Sequence, residues 1–233
     1  MISRKEMWAD HFSNKCVHEI DIFAQCLTEH VLPAFANIDS EAEKVSNSEY
    51  ERLINARYSD EHDVTDLAER AEEKGADFYM EMSNMAQGIR NLFTSGVWHL
   101  FVQQLLFFHR KELLDQEDEN KPGLLTLKKV KECFEKQGIQ LERLNSWAKL
   151  MELRRVANAV KHADGESATE LKTLRPGLFT SPMTLGPVIK CDRTPIFTPL
   201  AGEGIYVSVE DFNSYIAAIK AFWSELREAV LKQ

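Results

Sequence analysis

Residues 141–162 read LERLNSWAKLMELRRVANAVKH and are followed by Ala163-Asp164-Gly165. At 3.6 residues per turn, Leu153, Val156, Ala157 and Val160 fall on one apolar stripe. Leu144, Trp147, Ala148 and Met151 form a second apolar cluster on the opposite side, and the same line then continues into Arg155, Asn158 and His162. The spacing predicts a helix over 141–162, stopped at Asp164-Gly165. A face that changes from apolar to guanidinium, amide and imidazole needs a physical reason. Burying such groups costs several kcal/mol unless they are hydrogen-bonded or face water.

Outward from this helix the pattern stays helical. Residues 124–137 form a short basic helix stopped by Gly138, after the loop Asp115–Gly123 (DQEDENKPG). Residues 78–114 are apolar on nearly every side through their middle and read as the central helix, with an interruption expected near Gly88 or Gly96. Val17, Ile20, Ala24, Leu27 and Val31 make one stripe near the N-terminus, with Ser3 as its N-cap and Pro33 at its end. Between them, residues 39–77 are acidic and helix-prone with few large apolar groups, an excursion expected to pack over the bundle and over its basic part. Five of the seven prolines lie between 176 and 199, so 164–207 is expected to be an irregular loop carrying a short strand or two. The chain closes with a helix bearing Phe212, Tyr215, Ile216, Ile219, Phe222, Trp223, Leu226 and Val230, opened by a Ser208/Asp211 capping box. The expected fold is all-α, one helical domain over 1–233, an up-and-down bundle with a Pro/Gly-rich loop before the last helix.

Composition narrows the function classes. The 233 residues are 44% hydrophobic and 28% charged, which suits a packed domain rather than a disordered chain. The net charge is -9, yet residues 121–175 carry twelve Lys/Arg against seven acids and the rest of the chain carries the negative balance. Attraction of phosphate follows local potential, so this basic stretch is compatible with an anionic ligand. Cys16, Cys26, Cys133 and Cys191 show no Cys-x-x-Cys spacing. The opening MISRKEMWADHF reads as an amphipathic helix rather than a signal peptide, and the most apolar stretch, 97–108, is broken by His99, Gln103 and Gln104. A cytoplasmic protein with no membrane partner is expected. Glu-x-x-His pairs are absent, and His18-Glu19 fails as a zinc motif because position 22 is Ile. No metal site or cofactor is expected. His99, Gln103 and His109 are read as satisfied core groups, and Trp8, Trp98, Trp147 and Trp223 as core.

Arg155, Asn158 and His162 admit two readings. One is a polar network satisfied by a neighbouring helix. The other is a phosphate site, with an Arg fork for phosphate oxygens and a His that exchanges protons near neutral pH. Seven residues at 1.5 Å rise place Arg155 and His162 about 10.5 Å apart along the axis, so they converge only by leaning together or by meeting a second copy. Arg155 rather than Arg154 shares a face with His162, since an eight-residue step is rotated by ~80°. Arg154 and Lys161 point elsewhere and are candidate substrate-binding, backbone-steering groups.

The run 144–165, LNSWAKLMELRRVANAVKHADG, resembles the signature of the HEPN superfamily, an Arg followed by four to six residues and a His near a helix end. Here six residues separate Arg155 from His162, with Asn158 as the polar residue between them. KHADG and Arg175-Pro176-Gly177-Leu178-Phe179 look like a prokaryotic subgroup of such proteins, and the resemblance spans roughly residues 80–232. It implies an HEPN-like bundle and a metal-independent endoribonuclease, a homodimer with two Arg/His pairs at its interface, of a kind common in toxin–antitoxin and antiviral systems. RNA would be the substrate and an antitoxin or other protein a partner. His162 would act as general base or acid, Arg155 would stabilise charge on phosphate, and Asn158 would orient one of them. The alternative is a non-catalytic helical module that uses this face to bind a nucleotide or a protein. A third reading is a helical scaffold whose 176–204 loop binds something else.

Overall fold

The computed structural model describes residues 3–56, 64–182 and 204–232. All regular elements among them are helical, and no strand occurs among the described residues. Helix α1 (Arg4–Asp10) starts at Ser3, whose hydroxyl accepts from the Glu6 N–H at 3.2 Å while Glu6 accepts from the Ser3 N–H at 2.7 Å. A π-helical turn, His11–Cys16, leads into α2 (Val17–Gln25), and a second, Cys26–Val31, carries the run to a 3-10 turn at Leu32–Phe35 that contains Pro33. Proline has no N–H to continue the ladder, so the run ends there as its sequence predicts.

Helix α3 (Ile38–Asn55) and the first half of α4 (Val64–Phe108) form a hairpin. Gly75 brings them together: a Cβ there would lie 2.9 Å from Ser46 Cβ and 3.0 Å from the Ala42 carbonyl oxygen. The described parts of the acidic excursion, 39–56 and 64–77, are almost wholly helical, and α3 packs along α4 rather than over the basic helices. Helix α4 runs for 45 residues without the break expected near Gly88 or Gly96. Glycine in a helix costs about 1 kcal/mol relative to alanine, and here packing supplies the reason for it. The Phe23 ring tip lies only 2.9 Å from where a Gly96 Cβ would be.

Helix α5 (Leu127–Lys136) ends at Gly138 with φ 76°, where the Ile139 and Gly138 N–H groups close on Phe134 and Glu135 carbonyls at 2.9 Å each. Helix α6 (Trp147–His162) is shorter than its periodicity predicts. Residues 141–143 form a 3-10 turn, and the Ser146 hydroxyl and N–H are both held by the Glu225 carboxylate, at 2.8 and 3.3 Å, which sets the helix start. Ala163, with φ 61°, turns the chain into α7 (Glu166–Leu174), followed by a 3-10 turn at Pro176–Phe179. The irregular loop expected over 164–207 thus begins with a helix. Its residues ESATELKTL precede the first proline and bury Ala168 and Leu171 against α6. The expected strands and most of the prolines fall outside the described residues.

The last helix, α8 (Val209–Leu231), opens on the predicted Ser208/Asp211 capping box. Trp8 meets Phe108, Gln104 donates to the Cys16 carbonyl, and Phe23 meets Phe93, so α1–α2 run opposite to α4. Asn91 bonds Ile205 and Phe101 meets Phe222, so α8 runs with α4. Trp147 on Phe222 and Glu152 on Tyr215 set α6 against α8. In this bundle α4 and α8 run one way, and α1–α2 and α6 run the other. Its centre is aromatic: Phe12, Phe101, Phe222 and Trp223 touch at centroid distances of 5.0 to 5.8 Å. All four tryptophans are buried, as their helical spacing predicts.

Candidate functional site

In α6 the core stripe is Leu150, Leu153, Val156, Ala157 and Val160, all at most 1% exposed. The second cluster read from the sequence reaches the core at Trp147, with Leu144 and Met151 half-buried against it, while Ala148 is exposed. Further along the same line Arg155 and Asn158 are half-buried and His162 is exposed. Arg155 and Asn158 are hydrogen-bonded there, so the burial penalty expected for them does not arise.

Helix α7 packs beside that side. Arg155 donates through Nε to the Glu170 carboxylate on α7 and through Nη1 to the Met151 carbonyl at 3.1 Å. Asn158 Nδ2 donates to Ser167 Oγ at 3.2 Å. The satisfied-network reading thus describes the side-chain bonds of Arg155 and Asn158. His162 is exposed on the last turn and makes no hydrogen bond or ion pair to a described residue. Arg154 and Lys161 are also exposed and without ion-pair partners among the described residues. The three named catalytic candidates share a side of α6, yet two of them bond α7 and the third does not.

The basic stretch is largely neutralised within the chain. Lys121, Lys129, Lys131, Lys149, Arg155, Lys172 and Arg175 each pair with a carboxylate. Lys128, Lys136, Arg143, Arg154 and Lys161 remain as cations with no ion pair among the described residues.

A denser polar constellation lies on α6 around Glu152, between the core stripe and the side that carries Arg155. Glu152 is 9% exposed, and one carboxylate oxygen accepts from Tyr215 Oη and Lys149 Nζ, each at 2.8 Å, and from Arg175. The other arm of Arg175 reaches Asp211, which also caps α8. Lys149 Nζ lies 4.6 Å from the Tyr215 ring centroid. Burial pushes the Tyr215 hydroxyl well above its ordinary value, helped by the Glu152 charge. Burial pushes Asp211 upward too, but the Arg175 and Ser208 hydrogen bonds win and hold it low. Every group here is occupied by another, so the knot locks α6, the start of the Pro176 turn and α8 together and leaves nothing to react. Its sequence signal is an acid, Glu152, at the i and i+4 spacing of Val156 on a buried stripe. Arg175, noted only as part of a resemblance, is its other half.

The histidines divide differently from expectation. His109 is fully buried with Nε2 3.0 Å from the Leu124 carbonyl, and burial lowers its proton affinity. His99 and Gln103, expected in the core, are exposed, and the buried amide is Gln104. Burial lowers the His99 pKa, as do the charges of Lys161 and His162. Segment 205–207 docks on α4, where Asn91 Nδ2 donates to the Ile205 carbonyl at 2.8 Å and Gln87 Nε2 to the Val207 carbonyl at 3.0 Å. A shallow hollow of about 320 Å³ lies on the N-terminal helix among Met7, Trp8, His11 and Lys15, away in sequence from the residues singled out above.

Among the described residues, no three His, Cys, Asp or Glu side chains gather as a metal site would require. No described helix is long and apolar enough to cross a membrane. The chain matches no family model, no curated protein and no solved structure.

Proposed function

We propose that this chain is an HEPN-type, metal-independent endoribonuclease acting in a toxin–antitoxin, stress or phage-defence setting, with its phosphate site on the outer side of α6. The observation that supports it is the state of His162: exposed, without a hydrogen bond or ion pair to a described residue, and on the same side as Arg155 and Asn158. The RNA 2'-hydroxyl attacks the adjacent phosphorus and gives up its proton to a base, His162. The bond to the 5'-oxygen breaks, that oxygen takes a proton, and the ends are a 2',3'-cyclic phosphate and a 5'-hydroxyl. Arg155 stabilises charge on the phosphate oxygens once Glu170 lets it go. That exchange is cheap, because the side chains of the pair are 34% and 48% exposed. A partly exposed pair contributes about 0–1 kcal/mol, less than a charge-assisted phosphate contact. A second copy of the chain would complete the site by bringing a second Arg155 and His162.

The test is cleavage of single-stranded RNA by purified protein in EDTA, with the 3' end identified as a cyclic phosphate. Cutting that disappears in His162→Ala and Arg155→Ala, with melting temperatures close to the parent's, is the expected result. A parent that leaves RNA intact refutes the proposal. The bonds that Arg155 and Asn158 spend on α7 favour a second reading, a non-catalytic module binding a nucleotide or protein on this face. It expects no cleavage by the parent and a loss of stability in Arg155→Ala.

A further inference from the structure

We propose that the hollow on the N-terminal helix is a second binding site, and that it takes a nucleobase stacked on the exposed ring of Phe107 and hydrogen-bonded at its edge. The hollow, about 320 Å³, has the size that small ligands occupy and is lined by Met7, Trp8, Asp10, His11, Asn14 and Lys15. A fixed aromatic cluster forms one side of it. Trp8 is 6% exposed and stands edge-on to Phe108 and to His11, with ring centroids 4.8 and 5.0 Å away. The His11 ring stacks on Phe107 at 5.9 Å, with 27° between the planes. Arg4 anchors this corner by donating to Glu112 at 3.0 Å and to the Lys111 carbonyl at 3.2 Å, which ties α1 to the end of α4. Phe107 nevertheless stays 46% exposed, so the cluster leaves ring surface open to stack on.

The polar groups select the kind of ligand. Trp8 Nε1 is a buried donor with no hydrogen-bond partner among the described residues, a state that is uncommon because it is costly. Asn14 Nδ2 donates to Asp10 Oδ1, which leaves the Asn14 carbonyl oxygen and the second Asp10 oxygen as acceptors. Lys15 is exposed and has no ion pair among the described residues. An aliphatic ligand would leave all of these unanswered. A nucleobase answers them: its faces stack on aromatic rings whatever its identity, its ring nitrogens and carbonyls accept, and its exocyclic amino group donates. The phosphate that accompanies the base meets Lys15. This site is separate from the outer side of α6, and it takes from the preceding proposal only the source of the base, an RNA strand. A free nucleotide presents the same chemistry.

The probes are adenosine monophosphate and single-stranded hexa-adenylate, each added to nitrogen-15-labelled full-length protein while the indole N–H resonances are followed by NMR. The Trp8 resonance is assigned by its loss in Trp8→Phe. The expected result is a saturable downfield shift of the Trp8 resonance with both probes. Phe107→Ala, an exposed substitution, should weaken binding about tenfold. Lys15→Ala should weaken both probes while leaving the binding of adenosine unchanged. No saturable shift at Trp8, an equal shift with ribose 5-phosphate, or unchanged affinity in Phe107→Ala overturns the inference. A response to adenosine monophosphate with none to the hexamer upholds the site and assigns it to a free nucleotide. RNA cleavage is measured separately on the same proteins. Binding at Trp8 with no cleavage refutes the nuclease proposal while leaving this site standing. Cleavage with no response at Trp8 refutes the site while leaving the nuclease.

Discussion

Glu152→Ala should destabilise the fold by about 2–4 kcal/mol, and the structure shows where each part arises. Tyr215 is fully buried and gives its hydroxyl hydrogen to Glu152, and a buried donor left without an acceptor costs about 1–3 kcal/mol. Arg175 keeps Asp211 as a partner and is 31% exposed, so it loses only part of its environment. Lys149 is 30% exposed and swings into water, a loss of about 0–1 kcal/mol. For a chain of this size, 1 kcal/mol moves the melting temperature by about 2–4 °C, so the drop should be on the order of 10 °C. Urea unfolding followed by tryptophan fluorescence and by far-ultraviolet circular dichroism measures it. The specific claim is coupling. In a cycle with Tyr215→Phe the two effects should fall short of additivity by about 1 kcal/mol or more, because either change removes the same bond. A Glu152→Ala protein within about 0.5 kcal/mol of the parent, or strict additivity with Tyr215→Phe, refutes the knot as a source of stability.

Four further outcomes follow from the packing. Gly75→Ala should destabilise by about 1–2 kcal/mol in urea unfolding despite its gain in helix propensity, because the new methyl meets the Ala42 carbonyl at 3.0 Å. Ala163→Gly should stabilise by about 1 kcal/mol, since φ 61° with ψ -141° is a conformation that only glycine adopts freely; an unchanged urea midpoint contradicts it. Burial holds His109 below its ordinary value of 6.5, so the folded ring is neutral while the unfolded ring takes a proton. Its contribution is therefore whole above pH 6.5 and fades as pH falls below it, and His109→Gln should flatten the slope of the urea midpoint between pH 7.5 and 5.5. Glu170→Ala should shift stability by less than about 1 kcal/mol and, on the proposed function, speed RNA cleavage by freeing Arg155; slower cleavage in this variant counts against the exchange of Glu170 for phosphate.

Much of the fold was legible because helices are written locally. Ser3 with Glu6, Ser208 with Asp211, and the Gly138 stop act between residues at most five apart. The errors share one cause. Residues 141–146 have helical spacing, but Glu225, far along the chain, binds Ser146 and moves the helix start. Gly96 looks like a helix breaker until Phe23 occupies the space beside it. Residues 166–174 precede a proline-rich stretch, yet nothing in ESATELKTL opposes a helix and Leu171 finds a buried place on α6.

The candidate site divides the same way. Arg155, Asn158 and His162 share one side of a helix on spacing alone, because a seven-residue step is nearly two full turns whatever surrounds it. Spacing also sets the alternation of apolar stripes that makes the protein helical. Packing alone sets this side against α7 and solvent, with Glu170 and Ser167 occupying two of the three residues. It alone joined Glu152 to Arg175, Asp211 and Tyr215. Periodicity states which residues point the same way, while a side chain's partner, burial and charge are set by residues as much as 199 positions distant that the bundle brings alongside.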